Sequence, residues 1–288
     1  MKGIVLAGGT GSRLWPITHG VSKQLLPIYD KPMIFYPIST LMLAGIREIL
    51  IITTPHDQSQ FKTVLGDGSE YGVTFQYATQ HKPAGLAQAF TIGQEFLGED
   101  NCLLILGDNL FHGAGLGRDL LRSLPRSGCH LFLFEVSNPS DYGILQLSSS
   151  HQPEKVVEKP KDFISNLAIT GLYFFDNNVS RVASGVTPSE RGEMEITEVI
   201  QDYLVNKTLT YTKLSRGSTW LDTGNPDSLL DAASYVQIIE KRTGLKIACL
   251  EEIAFSNGWI TIDQLKESVT KYSSGTYGKY LKQILSEE

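Results

Sequence analysis

The chain has 288 residues, 41% of them hydrophobic and 19% charged, enough to bury a large core in one elaborated α/β domain or a domain plus an appendage. A formal net charge of −6, with a pI near 5.6, argues against a nucleic-acid partner. No apolar run approaches the ~20 residues of a membrane span, and Met1-Lys2 leads into a strand without a signal-peptide pattern, so the expectation is a cytoplasmic protein with no membrane partner.

Short apolar runs alternate with helix-like segments. Strands are expected at 3–7, 49–53, 73–77, 102–106 and 130–134. Met33 to Gly45 has apolar residues at helical spacing and ends on a glycine stop, and Gly85 to Phe96 reads as a helix opening after Pro83. Such alternation predicts a parallel sheet with right-handed crossovers, with ligands beyond the carboxyl ends of the strands. From 140 to 223 the pieces become shorter and β-rich, at 142–147, 155–160 and 169–175, followed by a helix over Glu195–Val205. A longer helix begins near Pro226 and runs to about Arg242, with Leu229, Leu230, Ala233, Val236 and Ile239 on one face. The tail reads as helical. Cys102 and Cys129 lie in or beside apolar runs, and with Cys249 make an odd, scattered set that reads as buried free thiols.

Chemistry concentrates where strands end. Gly3 to Ala7 runs directly into Gly8-Gly9-Thr10-Gly11-Ser12-Arg13. Glycines let backbone N–H groups approach a polyanion with no Cβ in the way, Arg13 adds a forked donor, and Lys23 lies within reach if the loop folds back. That is a triphosphate grip. A dinucleotide fingerprint would need a glycine where Leu14 stands, and Asp30, at about the right distance for its acidic residue, lies in a turn. A P-loop would need Gly-Lys-Ser/Thr closing the loop. A ligand-free turn would leave Arg13 unexplained.

Asp108 ends another strongly apolar strand, where a carboxylate faces the ligand crevice and could join a hard cation to phosphate oxygens; an Asx turn is the plainer alternative. Asp222, in Trp220-Leu221-Asp222-Thr223-Gly224, is the second candidate ligand. The six histidines show no zinc-ligand spacing. Glu158-Lys159-Pro160 sets opposite charges side by side, for sugar hydroxyls and a monophosphate or as a solvated ion pair. Arg191 to Thr197 reads as a helix start with acids near the positive end of the dipole, and Tyr173 and Trp220 as buried aromatics.

These segments closely resemble the glucose-1-phosphate thymidylyltransferases (dTDP-glucose pyrophosphorylases) among the sugar nucleotidylyltransferases. The likeness runs through Leu6–Leu14, Lys23–Met33, Leu41–Arg47, Leu65–Ser69, Gly85–Phe90, Leu106–Asn109, Thr170–Phe174, Arg191–Glu193, Trp220–Gly224 and Cys249–Ala254, which is nearly the whole chain. The resemblance implies a Rossmann-like nucleotidyltransferase fold with a mixed central sheet. It implies a domain over 1–240, with a nucleotide half at about 1–139 and an interwoven sugar-binding β half at about 140–224, and C-terminal helices at 241–288. The implied reaction joins dTTP and glucose 1-phosphate into dTDP-glucose and pyrophosphate, the first step toward dTDP-L-rhamnose or a related dTDP-sugar.

Carried over residue by residue, Arg13, Lys23, Asp108 and Lys159 would be catalytic. Leu6, Gly8, Gly9, Thr10, Gly11, Ser12, Gln24, Gln80, Pro83, Gly85 and Leu86 would join Arg13, Lys23 and Asp108 around the nucleotide. Leu106, Asn109, Tyr142, Gly143, Glu158, Lys159, Ile169, Tyr173, Arg191, Thr197 and Trp220 would bind the sugar phosphate, and Asp108 and Asp222 would hold Mg²⁺. A homotetramer with dTDP-sugar feedback at a subunit interface is also implied. Departures fall away from these cations and metal acids: Val157 precedes Glu158, the base-pocket segment reads Gln80-His81-Lys82-Pro83-Ala84-Gly85, Asp141 precedes Tyr142, and Asn225-Pro226-Asp227 follows Gly224. UTP or another hexose phosphate as substrate, and a non-catalytic sugar-nucleotide sensor, are the rival readings.

Overall fold

A strand buried on both faces must be apolar throughout, and Ile4 to Ala7 are all buried. They belong to β1 (Lys2–Ala7), in the interior of the main sheet. The structure, a computed structural model, describes residues 1–189 and 192–286. After β1 come a small antiparallel ribbon of β2 (Pro27–Ile28) and β3 (Lys31–Pro32), then β4 (Glu48–Thr53), β5 (Thr74–Thr79) and β6 (Cys102–Leu106). β7 (Asn109–His112) stands outside the main sheet. β8 (Cys129–Glu135), β9 (Gly143–Leu147), β10 (Pro153–Glu158), β11 (Leu167–Phe175) and β12 (Leu209–Lys213) return to it, and β13 (Thr219–Asp222) pairs with β7.

The sheet order is β10-β9-β11-β6-β1-β4-β5, with β8 also on β11 and β12 on β8. The expected parallel pairing holds for β6, β1, β4 and β5, with Val5 opposite Ile51 and Ile105. It stops at β11, which runs against β6, β8 and β9. The β9–β10 hairpin reverses the chain once between β8 and β11, so β11 enters opposed to its neighbours. The sheet is mixed.

Period-two alternation divides the core between the two faces of the sheet. Val5, Ile49, Ile51, Leu103 and Phe174 face one side, with Ile38 and Leu41 and with Leu250, Leu265 and Leu281 from the tail helices. Ile4, Leu6, Leu50, Leu104 and Phe175 face the other, with Phe90, Val199 and Ile200. All three cysteines are buried and free. Among the described residues no helix is long and apolar enough to cross a membrane.

One helical expectation is corrected, and another holds in extent but not at every apolar position. Gly85–Phe96 is an irregular approach followed by two short helices, Gln88–Ile92 and Gln94–Leu97, broken at Gly93. Gly85 has φ +104° and lies so close to the Met194 backbone that a Cβ would clash, so no helix starts there. Helix Pro226–Thr243 buries Ala232, Val236 and Glu240, while Leu230 is 67% exposed. Leu229, Ala233 and Ile239 are partly buried against the same cluster as Val236, so of the five apolar positions Leu230 is the one that turns to solvent.

Glu240 belongs to a buried ionic quartet. Lys31 Nζ lies 2.9 Å from Glu240 Oε1 and 2.5 Å from Asp30 Oδ1; Lys246 Nζ lies 3.0 Å from Glu240 Oε2 and also pairs with Asp30. The quartet joins the β2–β3 ribbon, the long helix and the start of the tail. Glu240→Ala leaves two ammonium groups facing one carboxylate and is expected to destabilise the protein by about 3–5 kcal/mol, read as a lower urea midpoint. A midpoint equal to wild type would show that the quartet adds no net stability.

Candidate active site

Strand ends and one loop converge on a cleft of about 340 Å³ at the carboxyl ends of β1 and β6. The loop after β1 is held open by its own geometry. Gly9 has φ +107° with open space where a Cβ would point, and Gln80 fills the position that a Cβ on Gly8 would need. Gly11 O accepts bonds from Leu14 N at 2.9 Å and Thr18 Oγ1 at 2.8 Å, which fixes the turn that presents Arg13.

Lys23 folds back as its position suggested. Its Nζ donates to Asp108 Oδ2 at 2.6 Å. Asn109 Nδ2 donates to Asp108 Oδ1 at 2.9 Å, and Trp220 Nε1 donates to Asn109 Oδ1 at 2.6 Å. β7 and β13 pair so that Asp222 stands opposite Asn109, and Thr223 donates to the Asp108 carbonyl from its N–H at 3.2 Å and its hydroxyl at 2.8 Å. Residues more than a hundred positions apart are thereby fixed around one point.

The electrostatics record that convergence. Burial pushes the Asp222 carboxyl up to about 6, the negative charge of Asp108 adds to the rise, and Lys23, Arg13 and Lys159 oppose it. Two carboxylates side by side near three cations form an oxygen site suited to a hard divalent ion. Among the described residues no group of three or more His, Cys, Asp and Glu could hold a metal, so a cation here would complete its shell with substrate phosphates and water.

The other end of the cleft comes from β9, β10 and β11. Gly143 has no Cβ, and one built there would lie 3.1 Å from Glu158 Oε2. Lys159 has φ +43°, a strained conformation for a non-glycine residue, and its N–H bonds Tyr142 O at 3.0 Å. Trp220 lies 5.1 Å, centroid to centroid, from Tyr142. Tyr173 is 5% exposed, and burial, then the charge of Glu158, pushes its phenol well up, so it is a neutral hydroxyl near pH 7.

Most expected residues line this cleft: Gly8, Gly9, Gly11, Ser12, Arg13, Lys23, Gln24, Leu86, Leu106, Asp108, Asn109, Tyr142, Gly143, Glu158, Lys159, Ile169, Tyr173, Thr197, Trp220 and Asp222. Leu6 is instead core, 6% exposed, and Thr10 faces an adjoining cavity. Gln80 lies beneath Gly8, donating to Gly85 O at 3.2 Å and Gln88 Oε1 at 2.8 Å, while Gly85 packs on Met194; neither they nor Pro83 line the cleft. Arg191 lies outside the described residues. Leu14, Asp141, Gly171, Ile196, Ile200 and Gly224 also line the cleft without having been given a role there. Gly171 was findable: a glycine inside an apolar strand marks close backbone approach, and a Cβ there would meet Asn109.

Comparison with known proteins is consistent along the chain. The family described as nucleotidyl transferase matches residues 2–238. Glucose-1-phosphate thymidylyltransferase of Mycobacterium tuberculosis is 52% identical over 99% of each chain, and that of Neisseria meningitidis serogroup A is 49% identical over the full length of both. A Bacillus anthracis structure, assigned as a glucose-1-phosphate thymidylyltransferase and solved with sucrose, is 37% identical, with a TM-score of 0.76 over 82% of this chain and 94% of that one. A UDP-glucose pyrophosphorylase solved with UDP-glucose shares the fold, with a TM-score of 0.74 at 23% identity over 83% and 98%.

The raised Asp222 carboxyl fixes a pH dependence. It titrates near 3.8 when unfolded and near 6 when folded, so the folded state holds the extra proton between those values. Stability therefore falls as pH rises from about 4 to 6, and the full cost, at most about 3 kcal/mol, stands above pH 6. Asp222→Asn is expected to raise the Tm of the metal-free protein at pH 8 and leave it unchanged at pH 4. A Tm gain equal at both pH values would show that carboxylate repulsion is not the cause.

Proposed function

Because the chain belongs to the nucleotidyl transferase family and matches glucose-1-phosphate thymidylyltransferases along its whole length, we propose that it transfers a thymidylyl group from dTTP to α-D-glucose 1-phosphate. The products are dTDP-glucose and pyrophosphate. The observation that supports this most directly is the meeting of Arg13, Lys23, Lys159, Asp108 and Asp222 in one cleft. A non-catalytic sensor has no need of a cation-and-carboxylate cluster at the α-phosphate.

The loop N–H groups and Arg13 hold the outer phosphates, and Lys23 neutralises charge at the α-phosphate. Gln80 and Gly85 shape the base pocket from behind Gly8. Asn109, Glu158, Lys159 and Tyr173 hold the sugar phosphate, with Gly143 and Ile169 forming the floor and Leu86, Thr197 and Trp220 the walls. The sugar phosphate oxygen attacks the α-phosphorus in line, and the protein contributes positioning and charge neutralisation. Asp108 and Asp222 would hold Mg²⁺, which supplies positive charge to the phosphate oxygens when bound. The proposal includes a cytoplasmic homotetramer with a dTDP-sugar feedback site at a subunit interface, for which light scattering with and without the sugar nucleotide is the check.

Chromatographic assay of dTTP and UTP, each against several hexose 1-phosphates, is expected to show efficient turnover with dTTP and glucose 1-phosphate that chelation of divalent ions abolishes. Robust turnover with UTP alone would overturn the thymidylyl reading. Lys23→Ala and Asp108→Asn are each expected to lower kcat/KM by roughly 10²-fold or more.

A further inference from the structure

Gln24 lines the active-site cleft beside Lys23, yet it is only 6% exposed. Its carbonyl is already taken: Ser22 Oγ donates to Gln24 Oε1 at 2.8 Å. We propose that Ser22 is a positioning residue, which fixes the Gln24 amide so that its N–H edge faces the nucleotide phosphates. The inference rests on the nucleotidyl-transfer reading above and adds how a neutral donor of that site is aimed.

An amide side chain has one accepting and one donating edge, and rotation about its last bond exchanges them. In a cleft that takes a polyphosphate the two edges are not equivalent. The donating edge bonds phosphate oxygens, whereas the accepting edge repels them. Ser22 removes the choice by holding Oε1. Both N–H groups of Nε2 are then left over, and among the described residues nothing accepts from them. A hydrogen bond received at the carbonyl also polarises the amide, so its N–H groups donate more strongly.

The rest of the side chain is confined as well. A Cβ on Gly107 would lie 3.0 Å from Gln24 Cγ, so the glycine before Asp108 leaves the space that the stem occupies. The backbone is fixed by a short turn over Lys23–Leu25, in which Leu25 N–H bonds Ser22 O at 3.0 Å and Ile34 N–H bonds Gln24 O at 2.8 Å. Ser22 itself is buried and lines the cavity behind the glycine loop, not the cleft. It therefore acts on a nucleotide in the cleft through Gln24. Lys23, between them in the chain, is committed to Asp108 at 2.6 Å, which leaves Gln24 as the uncommitted side-chain donor of this turn.

Ser22→Ala is expected to lower kcat/KM for dTTP about tenfold, with the KM for glucose 1-phosphate within twofold of wild type. The deciding measurement is a double-mutant cycle with Gln24→Ala. If Ser22 acts through Gln24, Ser22→Ala costs less than about twofold once Gln24 is gone. A tenfold loss in both backgrounds overturns the proposal, as does a wild-type kcat/KM in Ser22→Ala. Gln24→Glu keeps an acceptor for Ser22 but turns an oxygen toward the phosphates, so it should lose at least as much as Gln24→Ala. Higher activity than Gln24→Ala would show that the donating edge does not face the nucleotide. Calorimetric titration with dTTP and with UTP, in the presence of a chelator, separates the proposal from the substrate assignment. Ser22→Ala should weaken both by the same factor, because the contact is to phosphates and not to the base. Unchanged constants, or an effect confined to dTTP, sink the proposal. Turnover with UTP alone would refute the thymidylyl assignment and leave the Ser22–Gln24 pair standing where Ser22→Ala still weakens UTP.

Discussion

The arrangement of this molecule follows from holding two carboxylates close together in a place where neither is fully solvated. Asp108 and Asp222 repel, and the Asp222 carboxyl rises to about 6 as a result of burial and that repulsion. Such a pair persists only if the backbone over-determines it. Here the β7–β13 pairing sets Asp222 against Asn109, Thr223 clasps the Asp108 carbonyl, and Asn109 is gripped in turn by Trp220. A divalent cation bound between the two carboxylates would relieve that repulsion.

The two halves of the chain divide this work. The parallel strands β6, β1, β4 and β5 deliver the glycine loop and Asp108 to one edge. The antiparallel strands β9, β10 and β11 bring Glu158, Lys159 and Tyr173 to the opposite wall of the same cleft. Because β11 pairs directly with β6, the halves share one continuous sheet and cannot move independently at that seam. The spacing between the two walls of the cleft is therefore a property of the sheet.

Much of this was legible in the residues. The uninterrupted run Gly3–Ala7 could only be a doubly buried strand, and Lys23 had to reach back if the glycine loop was a phosphate grip; both hold. What local pattern could not show was pairing. Nothing in the sequence near β11 says that it runs against β6, since strand direction depends on how many hairpins intervene. Gln80 and Gly85 lie deeper than their place in the sequence suggests: a buried glutamine beneath a glycine turn looks, in sequence, like one that lines a pocket. Which side of the glycine loop Thr10 faces is likewise set by the fold, and it faces the adjoining cavity. Leu230 misled because an apolar residue on a helix does not reveal whether a neighbour covers it.

Lys159 shows why the strained positions matter more than the regular ones. A lysine at φ +43° is disfavoured, and a flexible loop would relax it. Its N–H is tied to Tyr142 O, and the next residue is Pro160, which limits the backbone that precedes it. The strain is therefore trapped between a hydrogen bond and a proline, and it turns the ammonium into the cleft, where its charge is felt at Asp222. A lysine in relaxed extended conformation would continue the line of β10 and alternate away from Glu158. Bringing adjacent residues of opposite charge to face one cleft needs the chain to break its alternation at that point, and the positive φ is how it does so.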